Sequence, residues 1–271
     1  MLVRLRAAAA SDIGPHRSVN QDAAFTAPWG VAVADGVGGG PAGDLASAAF
    51  IHRLAAGSVG PFDADQLAVS VRTANWDLRA HVERDPALHG MATTFTGLVA
   101  SRSGTLLVAH TGDSRAYRLR DGVLTQLTRD DSYVQALVDR GLVAAADAAS
   151  HPHRNLITSS LSGGEADVAA VIEYDAVVGD RWLLCSDGLT DYVPDAEIAA
   201  TLTVHENADS AARACVSLAI EAGTHDNVTA VICDISVDGV AGGGVLSNDG
   251  GPGPVFYGAA AVRFSEGLEP A

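Results

Sequence analysis

The sequence predicts an α+β layered sandwich rather than a doubly wound α/β sheet. Three observations carry this. Apolar runs of strand length recur along the chain, and four of them meet an aspartate: WGVAVADGVGGG at Asp35, TLLVAHTGDSRAY at Asp113, RWLLCSDGLTDY at Asp187 and THDNVTAVICDI at Asp226. Within 94–127 the runs are joined by tight turns, SRSG and RDG, which make antiparallel hairpins. Helical periodicity falls in two separate groups, one after the second strand group and one near the C-terminal end.

The elements follow in order. MLVRLRAAAASD interleaves arginine with apolar residues and has no clean signal-peptide core, so 2–7 is read as a first strand. Strands are expected at 22–26 and 29–34, then a helix near 43–56. A second helix places Leu67, Val71, Ala74, Leu78 and Val82 on one face. Strands 94–100, 105–111 and 114–120 come next. Residues 130–165 break the rhythm: a helix-like DSYVQALVDRGL leads into AAADAASHPHRNLITSSLSGG, which reads as a lid or binding loop. Strands 168–173, 181–186 and 228–235 complete the set, with a late helix carrying Ala208, Ala211, Ala212, Cys215, Leu218 and Ala219 on one face. Residues 1–237 form the expected domain, and the Gly/Pro-rich 238–271 is expected to be a flexible tail.

Composition narrows the function. The 271 residues contain no lysine; 17 arginines face 33 acids, for a net charge of −16. Such a surface repels nucleic acid and anionic membrane, and suits a soluble cytoplasmic protein. No apolar run approaches the roughly 18–20 residues that span a bilayer. Cys185, Cys215 and Cys233 each lie in an apolar run and form no CxxC, so they read as buried, reduced thiols. His110 sits inside a strand as a core histidine, and His151 and His153 with Arg154 form a turn of the 130–165 insertion. Ser114 and Ser186 lack a GxSxG elbow, which excludes a serine hydrolase. VGGGPAG is followed by no Lys-Ser/Thr, so it is a turn from Asp35 into a helix and not a nucleotide loop.

The recurring aspartates carry the chemistry. A carboxylate at the edge of a core is costly unless something neutralises it, and several together call for a cation. Oxygen-only ligation selects Mg²⁺ or Mn²⁺ over zinc. Carboxylates at strand ends can hold two such ions about 4 Å apart, and a water between them becomes a nucleophile suited to attack on phosphorus. The phosphate oxygens then need a forked cation, and SDIGPHRSVNQDAAF supplies Arg17 just ahead of the strand that delivers Asp35.

SDIGPHRSVNQD, VADGVGGGPAGDLAS, GMATTFTGLVA, AHTGDSRAYRLRDG, LTRDDSYVQALVDRG, HPHRNLITSSLSG, LLCSDGL and HDNVTAVI stand in an order that resembles the metal-dependent, type 2C-like serine/threonine protein phosphatases, their bacterial branch in particular. The resemblance covers residues 9 to about 234. It implies a four-layer α-β-β-α sandwich, two antiparallel β-sheets flanked by helix pairs, with 130–165 as a flap that helps select protein substrates. It implies two catalytic Mn²⁺ or Mg²⁺ ions bridged by Asp35, with the Gly36 carbonyl, Asp187 and Asp226 as further ligands. Asp113 matches a ligand of a third ion, and Arg17 the phosphate-binding arginine. Asp22 and Asn227 match positions that orient ligands and waters. The implied substrates are phosphoproteins made by a cognate serine/threonine kinase, and the implied state is a monomer.

Three residues depart from the pattern. Gln21 replaces the usual Glu and removes a negative charge near the ions; it is expected to face them through water. Val37 replaces a His or Met, leaving no evident acid for the departing alkoxide, and Ser159 replaces an Arg in the flap. A catalytically weak binding module and a small-molecule phosphoesterase are the alternative readings.

Overall fold

A computed structural model of the protein describes residues 3–37, 42–57, 62–237 and 253–265. Strands β1 (Val3–Asp12), β2 (Asp22–Ala27) and β3 (Gly30–Asp35) lead into helices α1 (Gly43–Ala56) and α2 (Ala64–Arg84). Then come β4 (Phe95–Ala100), β5 (Leu106–Thr111), β6 (Arg115–Arg120) and β7 (Val123–Gln126), followed by the short helix α3 (Tyr133–Asp139). β8 (Ala170–Tyr174), β9 (Arg181–Cys185), α4 (Asp187–Thr190), α5 (Asp195–Val204), α6 (Ala208–Glu221) and β10 (Val228–Val237) follow. The described residues end with β11 (Val255–Gly258) and α7 (Ala259–Ser265). No helix among them is long and apolar enough to cross a membrane.

One sheet runs β1-β10-β9-β6-β7 and the other β11-β2-β3-β4-β5-β8, with every pairing antiparallel. Strand periodicity divides the core into three. Val31 and Val33 of β3, Trp182 and Leu184 of β9, and Val231 and Cys233 of β10 meet between the sheets. Their neighbours point outward: Ala32 and Ala34 pack under α1, α2 and α7, while Leu183, Cys185 and Ile232 pack under α5 and α6. The result is the expected four-layer order. Truncating a central side chain such as Leu184, fully buried, would cost about 2–5 kcal/mol.

Local chemistry explains the helix starts. Asp63 and Gln66 form a reciprocal capping box on α2, with Gln66 N–H donating to Asp63 Oδ1 at 2.8 Å. Asn207 caps α6 through Ser210 N–H at 2.7 Å. The three cysteines are free and buried, and His110 is a core histidine held by Thr96 Oγ1 and the Arg129 carbonyl.

Several expectations are corrected. β1 runs to Asp12, because it pairs with β10 along its whole length. Hairpins form at β4–β5 and β6–β7, but the intervening Gly112–Asp113 turn carries the chain from one sheet to the other. The 238–271 segment is not a flexible tail throughout: β11 pairs with β2, and Ala259 and Ala260 are buried against α1. Small side chains there allow close packing that gives no periodic signal. Residues 238–252 and 266–271 of the expected tail, and residues 38–41 of the expected Gly-rich turn, lie outside the described residues.

Candidate metal centre

The expected site residues converge at one end of the sandwich. Asp22 and Asp35 are directly opposed in the β2–β3 register, and their strand positions share the face that looks toward the other sheet. Asp187 begins α4 straight after β9, Asp226 precedes β10, and Asp113 lies in the turn between β5 and β6. Arg17, Asp35, Gly36, Asp113, Asp187 and Asp226 line one cleft of about 260 Å³, together with Val37, Thr94, Asn155 and Ile157.

Glycines let the backbone close up there. A Cβ on Gly36 would lie 2.2 Å from the Gly43 carbonyl, and one on Gly188 would lie 1.9 Å from the Asn227 carbonyl. Gly36 N–H donates to the Gln21 carbonyl at 3.0 Å. The Asp35 carbonyl accepts from Thr94 N–H and Thr93 Oγ1, and Asp35 N–H donates to Thr94 Oγ1 at 3.1 Å. Thr94 is thus a positioning residue that the sequence reading missed; nothing in MATTF distinguishes its hydroxyl from that of an ordinary buried threonine.

Burial and mutual repulsion act on the carboxyls together. Asp35 is pushed well above the ordinary carboxylate value, first by burial and then by Asp22, Asp187, Asp113 and Asp226. Burial first, then Asp113 and Asp191, raises Asp187 in the same way. Asp113 is pushed up to about 7 by burial, Asp130 and Asp191, with Arg115 opposing. Asp22 is pushed up to about 6 by burial, opposed by the Ser186 and Thr229 hydroxyls. Ser186 Oγ donates to Asp22 Oδ2 at 2.7 Å, while the buried Asp22 Oδ1 and Asp187 Oδ1 make no hydrogen bond among the described residues.

This donor set fits hard divalent cations: it offers carboxylate and carbonyl oxygens, two of them buried without a donor. Among the described residues no three His, Cys, Asp or Glu side chains close on one point as a complete ligand set. Asp226 instead accepts from Arg17 Nη2 at 2.6 Å, and cations of this class fill positions with water and carbonyls.

The remaining expected residues take definite places. Arg17 stands at the cleft rim, with Nε donating to the His225 carbonyl at 3.2 Å. Asn227 ties down the 13–21 loop: its Oδ1 accepts from Gln21 N–H, and its Nδ2 donates to the Ile13 and Val19 carbonyls. Gly14, at φ +73°, sits so close to the Asp226 carbonyl that a Cβ would come within 2.3 Å. The GxxR spacing therefore brings Arg17 back over Asp226. Gln21 points its side-chain amide at the head of α1, where a Cβ on Gly43 would meet Nε2 at 2.6 Å. Ser159 lies outside this cleft, in a neighbouring groove with Leu127 and Ile172. The flap reaches the centre through Asn155 and Ile157, and Arg154 pairs with Asp191 at 3.3 Å. The HPHRN motif marked that flap turn but not these contacts.

Comparison with known proteins agrees with this architecture. The family model for protein phosphatase 2C matches residues 16–217. The serine/threonine protein phosphatase PstP of Mycobacterium tuberculosis is 44% identical over 234 residues, covering 85% of this chain. That match spans 45% of the relative's own length, so the chain corresponds to less than half of it. A serine/threonine phosphatase stp of Listeria innocua is 32% identical, over 75% of this chain and 83% of the relative. The M. tuberculosis PstP/Ppp crystal structure superposes with a TM-score of 0.81 at 41% identity, covering 85% of this chain and 98% of that one. A PstP catalytic domain in complex with two manganese ions gives 0.79 at 40% identity, covering 86% and 99%. With the family model matching residues 16–217, which include Arg17, Asp35, Asp113 and Asp187, and a relative 44% identical over 85% of this chain, the chain belongs to the protein phosphatase 2C family.

Proposed function

We propose that this chain hydrolyses phosphoserine and phosphothreonine on proteins, with water activated at a pair of Mn²⁺ or Mg²⁺ ions. The observation that carries this is the buried acidic cleft, in which Asp35, Asp113 and Asp187 repel one another while Arg17 stands at the rim. A cation pair relieves that repulsion, and the two manganese ions of the PstP catalytic domain support the same reading. Asp35, the Gly36 carbonyl, Asp187 and Asp226 would hold these ions, and Asp113 would hold a third. When bound, the ions supply a hydroxide nucleophile at neutral pH by lowering the pKa of a shared water.

The chain's own residues do the rest. Arg17 presents a planar fork to the phosphate oxygens and orients the phosphorus for attack. Asp22 and Asn227 hold the strand end and loop that carry Asp35 and Arg17. Asn155 and Ile157 narrow the approach from the flap side. Val37 has no proton to give, so water protonates the departing alkoxide. Phosphoproteins made by a cognate serine/threonine kinase are the substrates this reading requires. The three buried free thiols support a reducing, cytoplasmic compartment.

The test is turnover of p-nitrophenyl phosphate with Mn²⁺, then of a phosphopeptide panel, in the wild type and Asp187→Asn. Chelator should abolish activity, and Asp187→Asn should lower kcat by orders of magnitude while keeping the circular dichroism of the wild type. Metal-independent turnover, or full turnover in the variant, would sink the assignment. Activity on p-nitrophenyl phosphate with none on phosphopeptides would favour a small-molecule phosphoesterase.

A further inference from the structure

The C-terminal segment lies beyond the residues that the family model matches, yet it packs against β2 and α1, the elements on either side of the strand that carries Asp35 into Gly36. Without β11, β2 would be the edge of its sheet. With it, Val255, Phe256, Tyr257 and Gly258 pair with Thr26, Phe25, Ala24 and Ala23. Main-chain pairing of this kind fixes a strand's position as well as covering its edge. α7 then turns back over α1 and buries Ala259 and Ala260 in the same core as Phe50 and Ile51.

Three ties connect this segment to the backbone that carries the acidic residues. Gly258, at φ +61°, lies so close to Asp22 that a Cβ would meet its carbonyl at 2.2 Å and Ser11 Oγ at 2.9 Å. Arg263 pairs with Asp44 in the first turn of α1. Asp44 follows Gly43, whose carbonyl is the atom that packs against Gly36. Midway along α1, the His52 ring nitrogen Nε2 is 2.8 Å from the Ala260 carbonyl, and the ring lies 4.5 Å from that of Phe256. One end of the segment therefore presses on Asp22, and the other holds the helix turn that fixes Gly36.

We infer that Val255–Ser265 is a strap, bound in cis, that positions Asp22 and Gly36, with Arg263 and Gly258 as its positioning residues. It acts through β2 and α1, contacts no substrate, and sets how well the cleft is arranged to take cations. This rests on the metal-centre reading above only for its metal arm.

The experiment uses the full chain. Arg263→Glu sets two carboxylates against each other, Arg263→Lys keeps the charge, and Asp44→Arg with Arg263→Asp restores the pair with its polarity reversed. Mn²⁺ affinity is measured by calorimetry. Amide exchange of Gly36 and of Ala23–Thr26 is measured on chelator-treated protein. Arg263→Glu should weaken Mn²⁺ binding about tenfold, the lower end for groups that orient metal ligands, and should speed exchange at Gly36. The lysine variant and the charge swap should recover most of both. If Arg263→Glu does not fold, Arg263→Ala is read in its place. A lowered melting temperature with unchanged Mn²⁺ affinity and unchanged Gly36 exchange would overturn the inference and leave a mere stabilising contact. If the wild type itself binds no Mn²⁺, the metal-centre reading fails, while the exchange measurement still judges the strap.

Discussion

Replacing Asp22 by asparagine should stabilise the metal-free protein at neutral pH. Asp22 is fully buried, accepts a hydrogen bond from Ser186 at one oxygen and lies opposite Asp35. Its pKa is pushed up to about 6 from the ordinary 3.8, chiefly by burial. A carboxyl whose folded pKa is raised binds its proton more tightly in the folded state. Stability therefore falls as pH rises from about 4 to about 6, and the loss is complete above that. At about 1.4 kcal/mol per pH unit, the interval between 3.8 and about 6 corresponds to about 3 kcal/mol at pH 7.5. Asparagine keeps the shape and an acceptor for Ser186, and its amide can donate toward Asp35. The new amide brings its own desolvation, so a net gain of about 1–2 kcal/mol is expected. For a domain of this size that is about 2–8 °C in melting temperature.

The assay is thermal unfolding of both proteins in chelator at pH 7.5 and pH 4.5, then at pH 7.5 with Mn²⁺. Asp22→Asn should melt higher at pH 7.5 and lose that advantage at pH 4.5, where Asp22 is already protonated in the folded state. Added Mn²⁺ should stabilise the wild type more than the variant, because a bound cation turns the Asp22 charge from a liability into a partner. Equal destabilisation of the variant at both pH values would refute the reasoning. It would show that Asp22 is held by contacts requiring its negative charge.

Three further outcomes follow from the same geometry. Arg17→Ala should raise KM for phosphorylated substrate by about tenfold with a smaller fall in kcat, and weaken inhibition by phosphate; unchanged values would limit Arg17 to holding Asp226. Gln21→Glu places a carboxylate at the head of α1 beside Gly43 and should tighten Mn²⁺ binding about tenfold by calorimetry, whereas equal affinities would mean the added charge does not reach the ions. Asp130→Ala removes the two oxygens that receive Arg115 Nε and Nη2 in a largely buried pair, and should cost about 3 kcal/mol in urea unfolding; a loss under about 1 kcal/mol would mean that Tyr117, which already accepts from Arg115 Nη1, and water suffice for the guanidinium.

The acidic centre was legible because its chemistry is written locally. Each aspartate ends or begins an apolar run, and a strand end is where a sheet can present a side chain without burying it completely. Helices α2 and α6 were legible for the same reason, since each has a periodic apolar face, whereas α1 is buried nearly all round and shows as a helix only through its run of small and apolar residues. α5 was not, because only Ile198 and Leu202 of its ten residues are buried and the rest of DAEIAATLTV carries little pattern. The crossing between sheets at Gly112–Asp113 was also hidden. A tight turn has one signature whether its strands pair or part, and only the register of β6 with β9 decides it.

The C-terminal segment exposes the deeper limit. Low periodicity and many glycines are a sound argument against a self-sufficient helix or strand. They say little about a segment whose partner is already folded. β11 needs only main-chain groups to extend a sheet, and Gly258 belongs where it is because any larger residue would strike Asp22. Ala259 and Ala260 are small because α1 lies directly against them. Composition that reads as disorder when the segment is considered alone is what close docking against a finished surface requires. Glycine in this chain thus has one physical role at Gly36, Gly188 and Gly258 alike: it marks where one backbone must approach another beside the acidic cleft.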